Sequence, residues 1–215
     1  MVAQFTFLVA PFSGFKFSTL AWHETIDRIP YNEHGSLREH VLMRRVLYRV
    51  ASSLDGYIEG PHGEIGWIVQ DPTVNLASLY EGIDTVLLGR RSYELTQQPG
   101  APAFPHDWHV YVFSRTLPAA KHPSVTVIGD GIGDAVATLR SGPGGDIWLF
   151  GGGSLFASLL ALHAVDRIEL AIMPVLLGGG TPFLGAGAAQ TRLKLTHSQT
   201  HPSGIVRLQY DIRPD

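Results

Sequence analysis

Short apolar runs punctuate the chain from Val46 onward, and between them apolar residues recur at helical spacing. The runs Val46–Ala51, Asp84–Gly89, Trp108–Phe113, Val125–Ile128, Asp146–Phe150 and Arg167–Ile172 are rich in β-branched, leucine and aromatic residues. Brief runs of that kind, bounded by turn-forming residues, read as strands covered on both faces. Asp71-Pro72-Thr73 carries a helix-start signal, and Leu76, Leu79 and Tyr80 follow at helical spacing, which predicts a helix there. Further helices are predicted from Arg90 to Leu95, over Ile132, Val136 and Leu139, and over Leu155, Leu159, Leu160 and Leu162. Near the C-terminus the pattern changes. Leu193–Thr196 and Ile205–Tyr210 alternate apolar and polar residues across Pro202-Ser203-Gly204, the signature of an antiparallel hairpin. Strands alternating with helices, closed by a hairpin, predict an α/β fold with a mostly parallel sheet and an antiparallel edge.

Residues 1–42 stand apart because they sustain no period of 2 or 3.6. The opening MVAQFTFLVAPFSGF lacks a basic segment and is interrupted by Pro11. It therefore fits neither a secretion signal nor a membrane span. The expectation is a poorly ordered extension over 1–42, followed by one domain over 43–215 that opens at Met43-Arg44-Arg45. At 215 residues, 45% hydrophobic and 16% charged, the chain is long enough for a single sizeable core. A formal charge of −3 without a long basic run argues against a nucleic-acid partner. The absence of cysteine excludes disulfides, thiolate metal sites and cysteine nucleophiles, and a cytoplasmic location is expected.

Candidate chemistry concentrates where strands run into helices. After Asp146–Phe150 come Gly151, Gly152 and Gly153, then Ser154, Leu155 and Phe156 opening a helix. Glycines there leave bare N–H groups at a helix start, where they and the helix dipole can hold an anion. The dinucleotide fingerprint fails in detail, since its third glycine position falls on Phe156, and a tight turn accounts for the triplet equally well. The stretch around Tyr57, Ile58 and Trp67 holds Gly60, Pro61, Gly63 and Gly66, which suits a mobile flap or a plain surface loop. His106 and His109 have an H-x-x-H spacing without a third ligand nearby, so no metal site is expected.

The LDGYI turn after the first strand, then LLGRRSYE, VFSR and WLFGGGSLF, occur in the order and at the separations that mark the dihydrofolate reductase superfamily. From about Arg45 to Ile212 the chain resembles that superfamily, and within it the reductase domain of bacterial riboflavin biosynthesis. The resemblance implies a three-layer αβα sandwich and an NADPH-dependent oxidoreductase. It places Gly89 and Arg90, with Arg91 beside them, at the helix start facing the cofactor phosphates, and Ser114 and Arg115 near the adenosine 2′-phosphate. Gly151, Gly152, Gly153, Ser154 and Leu155 match the pyrophosphate loop. On the substrate side Asp55, the aspartate of the LDG turn, and Asp71 are the candidate catalytic residues. With Glu59, Glu64, Tyr57 and Trp67 they belong to a loop expected to organise the substrate. No acidic residue lies at the separation from Gly89 that pterin protonation uses, so folate reduction is not implied. A small heterocyclic or sugar-derived substrate is expected, with a homodimer as in relatives. The riboflavin-pathway reductase acting on a ribosylaminopyrimidine and a non-catalytic NADPH-binding protein remain as alternatives.

Overall fold

The computed structural model describes residues 43–75, 77–98, 101 and 103–213. The expected extension over 1–42 lies outside these residues, as does Leu76. Six of the strands predicted from apolar runs form a parallel array: β1 (Val46–Ser53), β3 (Ile83–Gly89), β4 (His109–Phe113), β5 (Thr126–Ile128), β6 (Asp146–Gly151) and β7 (Arg167–Met173). Two antiparallel strands, β9 (Leu193–Thr200) and β10 (Val206–Ile212), extend it to eight in the order β5-β4-β3-β6-β1-β7-β10-β9. The hairpin between them turns at Gly204, whose φ of +89° suits a residue without a side chain. A short ribbon of β2 (Tyr57–Glu59) and β8 (Thr181–Pro182) stands off the main sheet.

Alternation along the strands explains the layering. Val46, Tyr48, Leu87, Ile147 and Leu149 point to one face and are buried beneath helices α2 (Ile132–Ser141) and α3 (Gly153–Ala161) through Val136, Phe156 and Leu159. Leu47, Val86, Leu88, Val112 and Trp148 point to the other, where Tyr93 of α1 (Arg90–Thr96) meets them. Each fully buried leucine or aromatic side chain contributes about 1.5–3 kcal/mol relative to exposure. The result is the three-layer αβα sandwich with its C-terminal antiparallel hairpin.

The helix predicted after Asp71 does not form. Among the described residues this stretch holds only turns and one 3₁₀ turn, Ala77–Leu79. Asp71 Oδ1 accepts both the N–H of Thr73 (2.8 Å) and its hydroxyl (2.6 Å), closing a local turn. Thr73, Val74 and Asn75 are also weak helix formers. Arg49 from β1 takes the carbonyl of Leu79, and Val74 and Tyr80 are drawn into different parts of the core. Tertiary contacts thus override a helical spacing of three residues.

Candidate functional site

Neighbouring strands β3 and β6 send their helices to opposite faces of the sheet, because connections running in opposite directions along a sheet must cross it on opposite sides to keep the same hand. The carboxyl ends of such a pair open a crevice. A polar cleft lies there, built from Gly89, Ser114, Arg115, Ser154, Leu155 and Ser158, and from a Gly129-Asp130-Gly131 turn that leads into α2. This brings together five of the ten residues expected to hold the cofactor: Gly89, Ser114, Arg115, Ser154 and Leu155. The Gly129-Asp130-Gly131 turn and Ser158 were missed; a glycine pair just ahead of a helix was the available signal.

The three glycines do three different things. Gly151 has φ +113°, a conformation that side chains oppose. Its peptide bond with Gly152 is cis. Gly152 has ordinary extended dihedrals, φ −81° and ψ −163°. A side chain there would meet only Ile58 Cδ1 and Ser92 Oγ, both at 3.8 Å, and would project toward the apolar cavity described below. Gly153 is constrained by packing: a Cβ would lie 2.5 Å from the carbonyl oxygen of Pro182, and its own carbonyl accepts the N–H of Gly185 at 3.0 Å. Gly153 and Ser154 begin α3, so the N–H groups of this first turn lack an earlier carbonyl within the helix. That arrangement suits a pyrophosphate.

The arginines divide between two regions. Arg90 donates to Glu94 Oε1 (2.7 Å) and to the hydroxyl of Thr116 (2.6 Å), so it reaches toward the turn after β4. Ser114 Oγ accepts the N–H groups of Thr116 (3.2 Å) and Leu117 (3.0 Å) and shapes that turn. Arg115 pairs with Asp130 at 2.9 Å, with both side chains more than 80% exposed. A pair so solvated is worth little, and its guanidinium is free to exchange partners for an arriving phosphate. Arg91 turns away. It pairs at 2.7 Å with Glu59, which is only 7% exposed and also accepts the hydroxyl of Thr181 at 2.9 Å.

Glu59 belongs to a second, largely apolar cavity beyond the glycine turn. Its walls include Ile58, Ile68, Val74, Trp148 and Phe150, with Gly152 and Ser92 at the edge nearest the polar cleft. The sheet floor beneath is charged: Arg49 and Glu169 sit opposite each other on β1 and β7 and pair at 2.7 Å, and Arg207 lies on β10 nearby. The stretch read as a flap or surface loop is a surface loop over 60–67, with Pro61, His62, Glu64 and Gly66 exposed, anchored at both ends. β2 pairs with β8, and Ile58, Ile65 and Ile68 are buried.

The two expected catalytic carboxylates are elsewhere. Asp55 lines neither cleft, and its carboxylate accepts the N–H groups of Leu177 (3.1 Å) and Gly178 (2.7 Å), tying down the loop after β7. The Ser53 hydroxyl first, and then these amides, lower its pKa to about 2. Asp71 also lines neither cleft. Its oxygens are taken by Thr73 and by the N–H of Ser203 at 3.0 Å, and hydrogen bonds from Ser203 and Thr73 hold it well below the usual carboxylate range. Both fix turns, and of the three carboxylates it is Glu59 that lines the apolar cavity. Sequence spacing could not separate the three, because all lie in one loop. Among the described residues no three His, Asp or Glu gather as metal ligands would, and no helix is long and apolar enough to cross a membrane.

Comparison with known proteins agrees with this architecture. A family model described as the RibD C-terminal domain matches residues 44–207. Uncharacterized protein YyaP of Bacillus subtilis (strain 168) is 34% identical over 185 residues, covering 81% of this chain and 98% of its own. A Shewanella sp. PV-4 protein assigned to riboflavin biosynthesis has a crystal structure that matches with a TM-score of 0.69 at 22% identity, over 79% of this chain and 99% of that one. Dihydrofolate reductase from Enterococcus faecalis, complexed with NADP(H), matches with a TM-score of 0.59 at 18% identity, over 79% and 97%. At such identities the solved structures show a shared fold.

Proposed function

Because the chain belongs to the RibD C-terminal domain family, we propose that it is an oxidoreductase that holds NADPH in the polar cleft and reduces a small heterocyclic or sugar-derived substrate in the apolar cavity. One observation carries this reading: the two sites abut across the glycine turn, with Gly89 and Ser154 lining one and Gly152 lining the other. The residues fit the cofactor. The first turn of α3 offers N–H groups for the pyrophosphate, and Arg115 and Arg90 offer exposed guanidinium groups beside Ser114 for a terminal phosphate. When bound, NADPH supplies the hydride.

The protein's own residues bind and orient. Ile58, Ile68, Trp148 and Phe150 form walls that exclude water and favour a flat ring. Glu59 is held rigidly by Arg91 and Thr181, with both bonds on Oε2. In this reading its other oxygen accepts an N–H or O–H of the substrate and so fixes its orientation. Titration of the protein with NADPH and with NADH, followed by a search for substrates that speed NADPH oxidation, tests the assignment. Tight NADPH binding with turnover supports it. Failure to bind either nucleotide overturns it, and binding without turnover by any ring substrate favours a nucleotide-sequestering protein.

A further inference from the structure

The polar cleft holds arginine without holding surplus positive charge. Among the described residues that line it, Arg115 and Asp130 are the charged ones, and they pair with each other at 2.9 Å. Arg90, at its edge, is likewise matched by Glu94. A guanidinium reserved for a phosphate gains nothing from such a neighbour, because the phosphate must displace the carboxylate and then lie beside a like charge. Asp130 is nevertheless set there by the fold. β4 and β5 run parallel with Phe113 opposite Ile128, and the Ser114 N–H continues the ladder to the Ile128 carbonyl at 2.9 Å. Carried two residues further, the same register brings Asp130 beside Arg115. A Cβ on Gly129 would lie 3.8 Å from the Ser114 carbonyl oxygen and 4.0 Å from the Arg115 Cα, so the turn runs along the backbone of that pair. Gly131, at φ +69°, then swings the chain into α2 directly after the acid.

We propose that Asp130 sets cofactor selectivity, opening the cleft to NADH as well as NADPH. The inference rests on the cofactor assignment above. Toward a ribose that carries the 2′-phosphate, Asp130 competes for Arg115 and repels the incoming charge. Toward a ribose with a free 2′-hydroxyl, its carboxylate accepts the O–H, a role closed to a guanidinium, which only donates. Arg115 and Asp130 are thus two readers of one position. Their mutual pair, with both side chains more than 80% exposed, is solvated enough to part for either ligand. In a largely aqueous setting, a carboxylate a few ångströms from a phosphate of about two charges weakens binding by about tenfold, and salt screens that effect.

Isothermal titration of the full-length protein with NADPH and with NADH tests the role of Asp130. At low ionic strength Asp130→Asn binds NADPH about tenfold more tightly than wild type and NADH about threefold more weakly. The gain for NADPH shrinks as salt is raised. Asp130→Glu, which keeps the charge, stays near wild type. Asp107→Asn removes an exposed charge that lines neither cleft and changes neither constant. NADPH affinity that is unmoved or weakened in Asp130→Asn, equal tightening of both nucleotides, or the same gain in Asp107→Asn overturns the proposal. A wild-type protein that binds neither nucleotide removes the cofactor assignment and this inference with it. One that binds NADPH tightly while Asp130→Asn changes nothing keeps the assignment and loses only the role of Asp130.

Discussion

The two ends of the parallel sheet use the same residue types for opposite purposes. At the amino ends, arginine and aspartate are sunk into the structure. Arg44, 8% exposed, donates to the Gly145 carbonyl (2.7 Å), to Thr85 Oγ1 (2.6 Å) and to Asp84. Asp84 in turn accepts the Gly145 N–H at 2.6 Å, and Asp166 binds both Arg140 (2.8 Å) and the Val46 N–H (2.7 Å). At the carboxyl ends, Arg90 and Arg115 lie in solvent, joined to acids that cost little to leave. The amino end spends its charges on holding strands in register, while the carboxyl end keeps them available. An ion pair therefore reports function only together with its burial.

The largest effect expected from breaking this contrast is at the glycine turn. Gly152→Val places a branched side chain where the backbone already tolerates one but the ligand space does not. The KM for a ring substrate in the apolar cavity should rise by at least about a hundredfold while NADPH affinity and circular dichroism stay native. Gly153→Val should instead lower Tm markedly, since its Cβ has no room against Pro182. If Gly152→Val leaves that KM unchanged, the cavity beside the glycine turn is not the substrate site.

Next is Arg44→Leu at the amino end, which leaves Asp84 without its cation and should cost about 3 kcal/mol in urea unfolding. The NADPH dissociation constant of the folded variant should not move. A change in affinity with unchanged stability would show that the two ends are not separate in role.

At the carboxyl end, Arg115→Gln should do the reverse. Stability is expected to hold, whereas NADPH binding should weaken by about 1.5–3 kcal/mol and NADH binding should not. Isothermal titration with both nucleotides decides this, and equal weakening of the two would remove the 2′-phosphate assignment.

The smallest effect concerns Asp55, which is at the carboxyl end yet serves structure. Its folded pKa of about 2 lies below its ordinary value of 3.8, so the stability it contributes is full above that ordinary value and is lost as pH falls through the folded one. The Tm difference between wild type and Asp55→Asn should be level above about pH 5 and shrink toward zero by about pH 2. A difference that grows on acidification would contradict the sign of the shift.

The chain by itself determined the strands, the hairpin and the place of the polar cleft. Each of these rests on local rules: apolar runs at Val46–Ala51 and Asp146–Phe150 have one way to be buried, and the glycines after them open each helix. The resemblance to the reductase superfamily named Gly89, Ser114, Arg115, Ser154 and Leu155 together, and parallel strands put them at one cleft by bringing all their carboxyl ends to one side. Only the tertiary structure decided the rest. The stretch after Asp71 had a helical spacing, but Arg49 and the divided core pulled it into turns. Asp55, Glu59 and Asp71 looked alike in one loop until partners far along the chain, Gly178, Thr181 and Ser203, fixed two of them in turns and left Glu59 facing the cavity. Arg49, Glu169 and Arg207 stand in three separate strands, where each reads as one polar residue in an alternating pattern. Their meeting depends on strand order, which places β7 between β1 and β10, and strand order is set by how whole layers pack.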